Sequence, residues 1–239
     1  MDISDTPFEG LSNSRCGEGW RYRLLRPLDL ADGEKAPLVV FLHGAGERGD
    51  DNLTQLKYLP EHLATPGSRK KYRAFVFAPQ CAAESSWVDA IWGAKVSVPI
   101  ADRPTPDLQK VYETVDHLLT TEAIDHNRIY LTGLSMGGYG AWEFACRAPK
   151  MFAAVAPICG GGDESVAPRL IHTPIWAWHG DQDDAVPVER SRSMVNAIRD
   201  AGGQKCRYTE LAGEGHKSWI PAYRDDSGLL DWMFSQRKA

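Results

Sequence analysis

The chain has 239 residues, 43% of them hydrophobic and 25% charged, with a formal net charge of −5. That length and balance predict one soluble globular α/β domain over residues 1–239, with residues 1–18 as an N-terminal extension. The acidic balance speaks against a nucleic-acid partner, and no apolar run reaches the roughly 18–20 residues that span a bilayer, so no membrane partner is expected.

The opening stretch MDISDTPFEG is acidic and polar and lacks the basic-then-apolar plan of a signal peptide. Five cysteines stand at wide spacings, without a CxxC or a Cys/His cluster, which predicts no zinc site and a reducing compartment. Cys146 and Cys159 sit in apolar stretches and read as small buried hydrophobes. The expected location is the cytoplasm, with secretion or a periplasmic location only where a leader has been removed.

Residues 20–27 (WRYRLLRP) alternate like a half-exposed strand and are expected at an antiparallel edge. PLVVFLHG (37–44) and AFVFAPQ (74–80) read as buried strands. Asp107 is the expected N-cap of a helix over 108–122, where Leu108, Val111, Val115, Leu118 and Leu119 follow helical spacing. RIYLTG (128–133) returns to strand, and 138–148 to helix. FAAVAPIC, PIWAWHG and CRYTEL are further strands; 188–200 and 222–235 are further helices. Alternating strands and helices with uniformly apolar strands predict a mainly parallel twisted sheet covered on both faces. Two long stretches, 60–71 and 81–106, read as irregular, and loops of that length are more often functional than idle.

The segment IYLTGLSMGGYGAW sets Ser135 between Gly133 and Gly137, where a strand gives way to a helix. This is the sequence context of a nucleophile elbow: small neighbours allow a sharp turn, and a helix N-terminus favours developing negative charge. A serine hydroxyl needs a base, and the base an orienting acid. Three histidines follow Ser135, namely His172, His179 and His216. Only His216, in the glycine-bracketed loop AGEGHKSW after the last predicted strand, suits the chain order serine, acid, histidine. Asp181, Asp183 and Asp184 all follow PIWAWHG, and spacing alone does not separate them.

GLSMGG, HGDQDDAVP and GEGHKSW in this order, with FLHGAGERG upstream, resemble the α/β-hydrolase superfamily. More narrowly they resemble bacterial carboxylesterases of the phospholipase/carboxylesterase and feruloyl-esterase-like group, some of which are described as peptidases. The likeness runs from about Trp20 to Trp232 and implies an α/β-hydrolase fold. It also implies that Asp183, the aspartate of HG-x-x-D, is the acid, with Asp181 and Asp184 as flanking surface acids. It maps the family's catalytic histidine onto His216 and the oxyanion-hole amides onto Met136 and Ala45. His43 reads as a turn-packing residue, and Glu47 and Arg48 as a pair bracing the oxyanion loop, with facing the substrate as the alternative.

Trp142, Trp176 and Trp178 lie on regular elements and read as core. Trp87, on the long loop, is the expected wall of the substrate pocket; Trp219 could wall it too or anchor the histidine loop. No long insertion separates Ile158 from Pro174, so no lid domain is expected. The expectation is a serine carboxylic-ester hydrolase that acts on small to medium acyl esters through an acyl-enzyme, with no metal or organic cofactor. Its partner is a small-molecule ester. Peptide cleavage, feruloyl or acetyl ester cleavage on plant polysaccharide, and a non-catalytic binding role on the same fold are the alternatives.

Overall fold

Two-residue alternation along the central strands decides how the sheet is covered. The computed structural model describes residues 11–16 and 20–238. In β3 (Ala36–Leu42), Leu38, Val40 and Leu42 enter one core, and Val39 and Phe41 enter the other. In β5 (Ile124–Leu134), Ile129 and Leu131 join the first core and Tyr130 and Leu134 the second. Strands buried on both faces read as continuous apolar runs, which is why the sequence signals parallel pairing here.

The remaining strands are β1 (Leu11–Cys16), β2 (Trp20–Leu25), β4 (Phe75–Pro79), β6 (Ala154–Ile158), β7 (Ile175–Gly180) and β8 (Cys206–Leu211). They form one eight-stranded sheet in the order β1-β2-β4-β3-β5-β6-β7-β8. The β1/β2 and β2/β4 pairs are antiparallel and the rest parallel. On one face lie α3 (Pro106–Thr121), α4 (Met136–Arg147) and α5 (Glu189–Asp200). On the other lie α1 (Leu59–Ala64), α6 (Trp219–Ala222) and α7 (Leu229–Ser235), with the short α2 (Pro66–Lys71) following α1. Between β6 and β7 there is only a short 3-10 helix, Glu164–Leu170, and no lid domain.

Several elements differ from the sequence reading. β2 is not an edge strand: residues 11–16 pair outside it, Leu11 opposite Leu25 and Cys16 opposite Trp20. Its polar look comes from Arg23, which is buried and donates from Nε to Asn52 O at 2.8 Å. Residues 60–71 are not irregular but carry α1 and α2, each with a proline in its first turn. Helix α3 is capped by Thr105, whose hydroxyl accepts from Leu108 N, because Pro106 takes the first helical position. Asp107 instead reaches out of the helix, accepting from Ala82 N at 3.2 Å and from Lys110 Nζ at 2.8 Å. The predicted helix over 222–235 is split, because Gly228 takes a left-handed φ of 75° between α6 and α7. Cys81, Cys146, Cys159 and Cys206 are buried free thiols.

Candidate active site

The carboxyl edge of the parallel strands collects the loops that carry the motifs, as open α/β sheets generally do. Ser135 follows β5 and opens α4 with φ 54° and ψ −118°, a backbone that side chains other than glycine rarely adopt. Its N–H donates to Ile158 O at 2.9 Å, and its carbonyl accepts from Tyr139 N at 3.0 Å. The glycines around it are required by contact. A Cβ on Gly137 would lie 1.9 Å from Leu42 O, and one on Gly133 would lie 2.3 Å from Gly137 O. The elbow is thus pressed onto the end of β3 by backbone alone.

His216 lies in the loop between β8 and α6. That loop is stitched to the one after β7 by backbone. Gln182 N donates to Glu214 O at 2.9 Å, and Asp181 N to Leu211 O at 3.1 Å. The Asp181 carboxylate accepts from Gly213 N at 2.7 Å, so Asp181 is an anchor of the histidine loop rather than a mere surface acid. Asp184 is exposed.

These loops bring Ser135, His216 and Asp183 together. Ser135 Oγ lies 2.9 Å from His216 Nε2. His216 Nδ1 lies 2.8 Å from Asp183 Oδ2 and 3.0 Å from Oδ1. The Asp183 side chain is wholly buried, and its Oδ1 also accepts from Ala185 N at 2.9 Å and Val186 N at 2.8 Å. Burial pushes its carboxyl up, but hydrogen bonds from His179, His216 and Val186 N outweigh that and leave it well below the usual carboxylate range. Asp183 is therefore an anion able to fix the Nδ1–H tautomer of His216 and free Nε2 to accept the serine proton. His172 is exposed and His179 wholly buried.

Ala45 and Met136 each begin a helical turn, the 3-10 turn Ala45–Glu47 and α4. First-turn N–H groups have no partner within their own helix. Gly44 is held against the elbow, since a Cβ there would lie 2.8 Å from Leu134 Cδ1. Arg48 braces this loop, but not through Glu47: its Nε donates to Ala45 O at 3.0 Å and its Nη1 to Ser85 O at 3.1 Å. Glu47 is buried instead, and burial raises its carboxyl.

His43 is structural. Its Nε2 accepts from Cys81 N at 2.9 Å, so Nδ1 carries the hydrogen and donates to Gly44 O at 2.6 Å. Burial pushes it down to about 4, which keeps it neutral.

Trp87 is not a pocket wall. It is 0% exposed, its indole N–H donates to His43 O at 3.0 Å, and it fills the space beside Gly140. Trp92, five residues on, is the half-buried tryptophan of that loop; its carbonyl accepts from Tyr139 Oη at 3.0 Å, and the Arg48 guanidinium lies 6.0 Å from its ring. Trp219 packs edge-on to His216 with centroids 5.2 Å apart and anchors the histidine loop. Behind it stands Tyr58, 5.7 Å from Trp219, with φ 71° and ψ −107°. No motif marks Tyr58; its backbone strain becomes legible only in three dimensions. Trp142 and Trp178 are core residues, and Trp176 is packed against the core.

Among the described residues, one cluster has the chemistry of a metal site: Cys159, Asp183 and His216, whose ligand atoms lie within 4.8 Å of one another. Burial pushes the Cys159 thiol up, which keeps it protonated, and both His216 nitrogens are committed to Asp183 and Ser135.

Residues 30–225 match the phospholipase/carboxylesterase family model. Among solved structures, a thermostable esterase superposes with a TM-score of 0.84 at 40% identity, over 95% of this chain and 62% of that one. A probable carboxylesterase of rice (Oryza sativa subsp. japonica) is 24% identical over 193 residues, 74% of this chain and 80% of its own. A bifunctional acetylxylan esterase/xylanase of Neocallimastix patriciarum is 29% identical over 96 residues. Those residues make up 40% of this chain and only 14% of that protein, so this chain is similar to a small part of it.

Proposed function

Because the chain belongs to the phospholipase/carboxylesterase family of α/β-hydrolases, we propose that it is a serine carboxylic-ester hydrolase acting on small to medium acyl esters through an acyl-enzyme. Ser135 Oγ attacks the acyl carbon while His216 Nε2 takes its proton, and the carbonyl electron pair moves onto oxygen. The N–H groups of Ala45 and Met136 receive that oxyanion, each such donor being worth about 2.7–4 kcal/mol of transition-state stabilisation. Collapse expels the alcohol, which leaves with the proton from His216. Water then gives its proton to His216 and attacks the acyl-serine, and the acid departs as Ser135 is reprotonated. Asp183 holds His216 in the working tautomer throughout.

The observation that carries this reading is the continuous array Ser135 Oγ–His216 Nε2 at 2.9 Å and His216 Nδ1–Asp183 Oδ2 at 2.8 Å. The short connection between β6 and β7, a 3-10 helix rather than an inserted domain, supports soluble esters over interfacial fats. Hydrolysis of p-nitrophenyl butyrate tests it. Ser135→Ala is expected to lose about 10⁴-fold or more in kcat, and Asp183→Asn about 10⁴-fold. Full activity in Ser135→Ala would refute the reading.

The partial likeness to an acetylxylan esterase favours a second substrate class, acetyl esters of plant polysaccharide, with the same chemistry. Comparing p-nitrophenyl acetate and butyrate with methyl ferulate, acetylated xylan and an N-acyl peptide distinguishes these, and the small aryl esters are expected to turn over fastest.

A further inference from the structure

The imidazole that precedes the acid in HG-x-x-D touches the acid itself. His179 is the penultimate residue of β7, is 0% exposed, and places Nε2 3.2 Å from Asp183 Oδ2. The same nitrogen lies 3.0 Å from Val186 O. Both neighbours are acceptors, so Nε2 carries the hydrogen. At the other end of the ring, Nδ1 lies 2.7 Å from Ser191 Oγ, and Ser191 Oγ lies 3.0 Å from Gly160 O.

Asp183 shows why a second imidazole matters. Its Oδ1 is fixed by the amides of Ala185 and Val186, and its Oδ2 meets His216. Amides at Oδ1 alone leave the carboxylate able to pivot about that oxygen, so the orientation of Oδ2 needs a second reference besides the base it must orient. His179 supplies one, and its bare Nδ1 accepts the Ser191 hydroxyl, which holds the ring from α5. The neighbouring strand β6 takes the Ser135 N–H, through Ile158 O.

We propose that His179 is a positioning residue for ester hydrolysis, holding Asp183 Oδ2 so that His216 is aimed at Ser135. The proposal rests on Ser135, His216 and Asp183 acting as read above. Removing the His179 donor has two consequences. Asp183 gains freedom to turn, and misplacing a reacting array by about 1 Å costs roughly 100-fold. The carboxylate also presents more uncompensated charge to His216, which favours the imidazolium and moves the acidic limb of the rate profile upward.

Other titratable groups near this pair do not produce that limb. Cys159 at the end of β6 and Tyr139 on α4 are both pushed up by burial and stay neutral. Glu210 of β8, in electrostatic range of His179, is held ionised by hydrogen bonds from Arg192, 2.6 Å at the nearer oxygen.

The test uses His179→Leu, His179→Gln and Ser191→Ala in the full chain, with Ser135→Ala in parallel. Gln restores a side-chain N–H near the position of Nε2; Leu does not. His179→Leu is expected to lose about 10–100-fold in kcat with KM little changed. The acidic limb of its kcat/KM should rise by roughly half to one pH unit. His179→Gln should recover most of the rate and return the limb toward the wild-type position. Ser191→Ala should show a smaller loss and shift in the same direction.

Wild-type kcat and limb in His179→Leu would overturn the proposal. So would an equal loss in both His179 variants with the limb unmoved, because the loss would then be one of packing. If His179→Leu does not fold, Ser191→Ala decides, and an unchanged profile there overturns it. Retained activity in Ser135→Ala would instead fault the catalytic array, a different failure.

Discussion

Ser135 and Tyr58 share a backbone conformation that suits glycine, with φ 54° and ψ −118° in one and φ 71° and ψ −107° in the other. Such positions cost of order 1–3 kcal/mol for a non-glycine residue and gather where a side chain must be aimed. At Ser135 the strain presents the nucleophile. At Tyr58 it sets a 36%-exposed ring against Trp219, which packs on His216. Tyr58→Gly relieves that strain but removes the ring's packing on Trp219 and frees the unfolded backbone, so it is expected to lower stability by about 1 kcal/mol, or a melting temperature by roughly 2–4 °C, and to lower ester hydrolysis. Calorimetry beside an activity assay checks this, and a rise in melting temperature would contradict it. At this scale the serine and the histidine were legible, because each sits in a glycine-flanked motif with a fixed chain order. The choice among three aspartates was not, because it depends on which carboxylate faces His216. Trp87 was misread because its indole N–H finds His43 O, a partner 44 residues away.

Among the elements, the strand-to-helix joint after β5 depends on backbone packed against backbone. Gly137→Ala would drive a methyl into Leu42 O, which has no side-chain freedom with which to yield. A loss of about 3 kcal/mol or more is expected, beyond ordinary overpacking. Gly67→Ala in α2 meets nothing within 4 Å and should gain roughly 0.5–1 kcal/mol from helix propensity. Urea unfolding of both separates a steric requirement from mere glycine flexibility. Apolar periodicity made the central strands and α3, α4 and α5 readable. It failed where a local signal competed: Pro106 moved the α3 cap to Thr105, and Gly228 broke the last helix. Pairing of residues 11–16 depends on a partner strand, and its short polar sequence carries little periodic signal of its own.

For the whole molecule, acid should be destabilising. His43 brackets β3 to the segments at Cys81 and Trp87 only as a neutral ring, and burial depresses it from 6.5 to about 4. Between those values the unfolded chain binds the proton and the native chain does not, so stability falls as pH drops from about 6.5 to 4. The loss is about 3 kcal/mol, with Asp183 adding to it at still lower pH, as the pH nears its depressed folded value. His43→Gln should flatten the dependence of the urea midpoint between pH 7 and 4; an unchanged slope would contradict this. The fold class was readable as a whole because alternating elements and buried strands allow few architectures. The shape of the long loop 81–105 was not, because it is set by tertiary contacts from Arg48, Tyr139 and Arg147.

The central claim is that the Ser135 hydroxyl is activated by His216. Labelling the folded protein with a fluorophosphonate and mapping the adduct by peptide mass spectrometry tests it most directly. The account predicts one phosphonyl group on Ser135, absent in Ser135→Ala and formed at least about 100-fold more slowly in His216→Ala. A folded protein that takes no label, or labels Ser135 equally fast without His216, would contradict it.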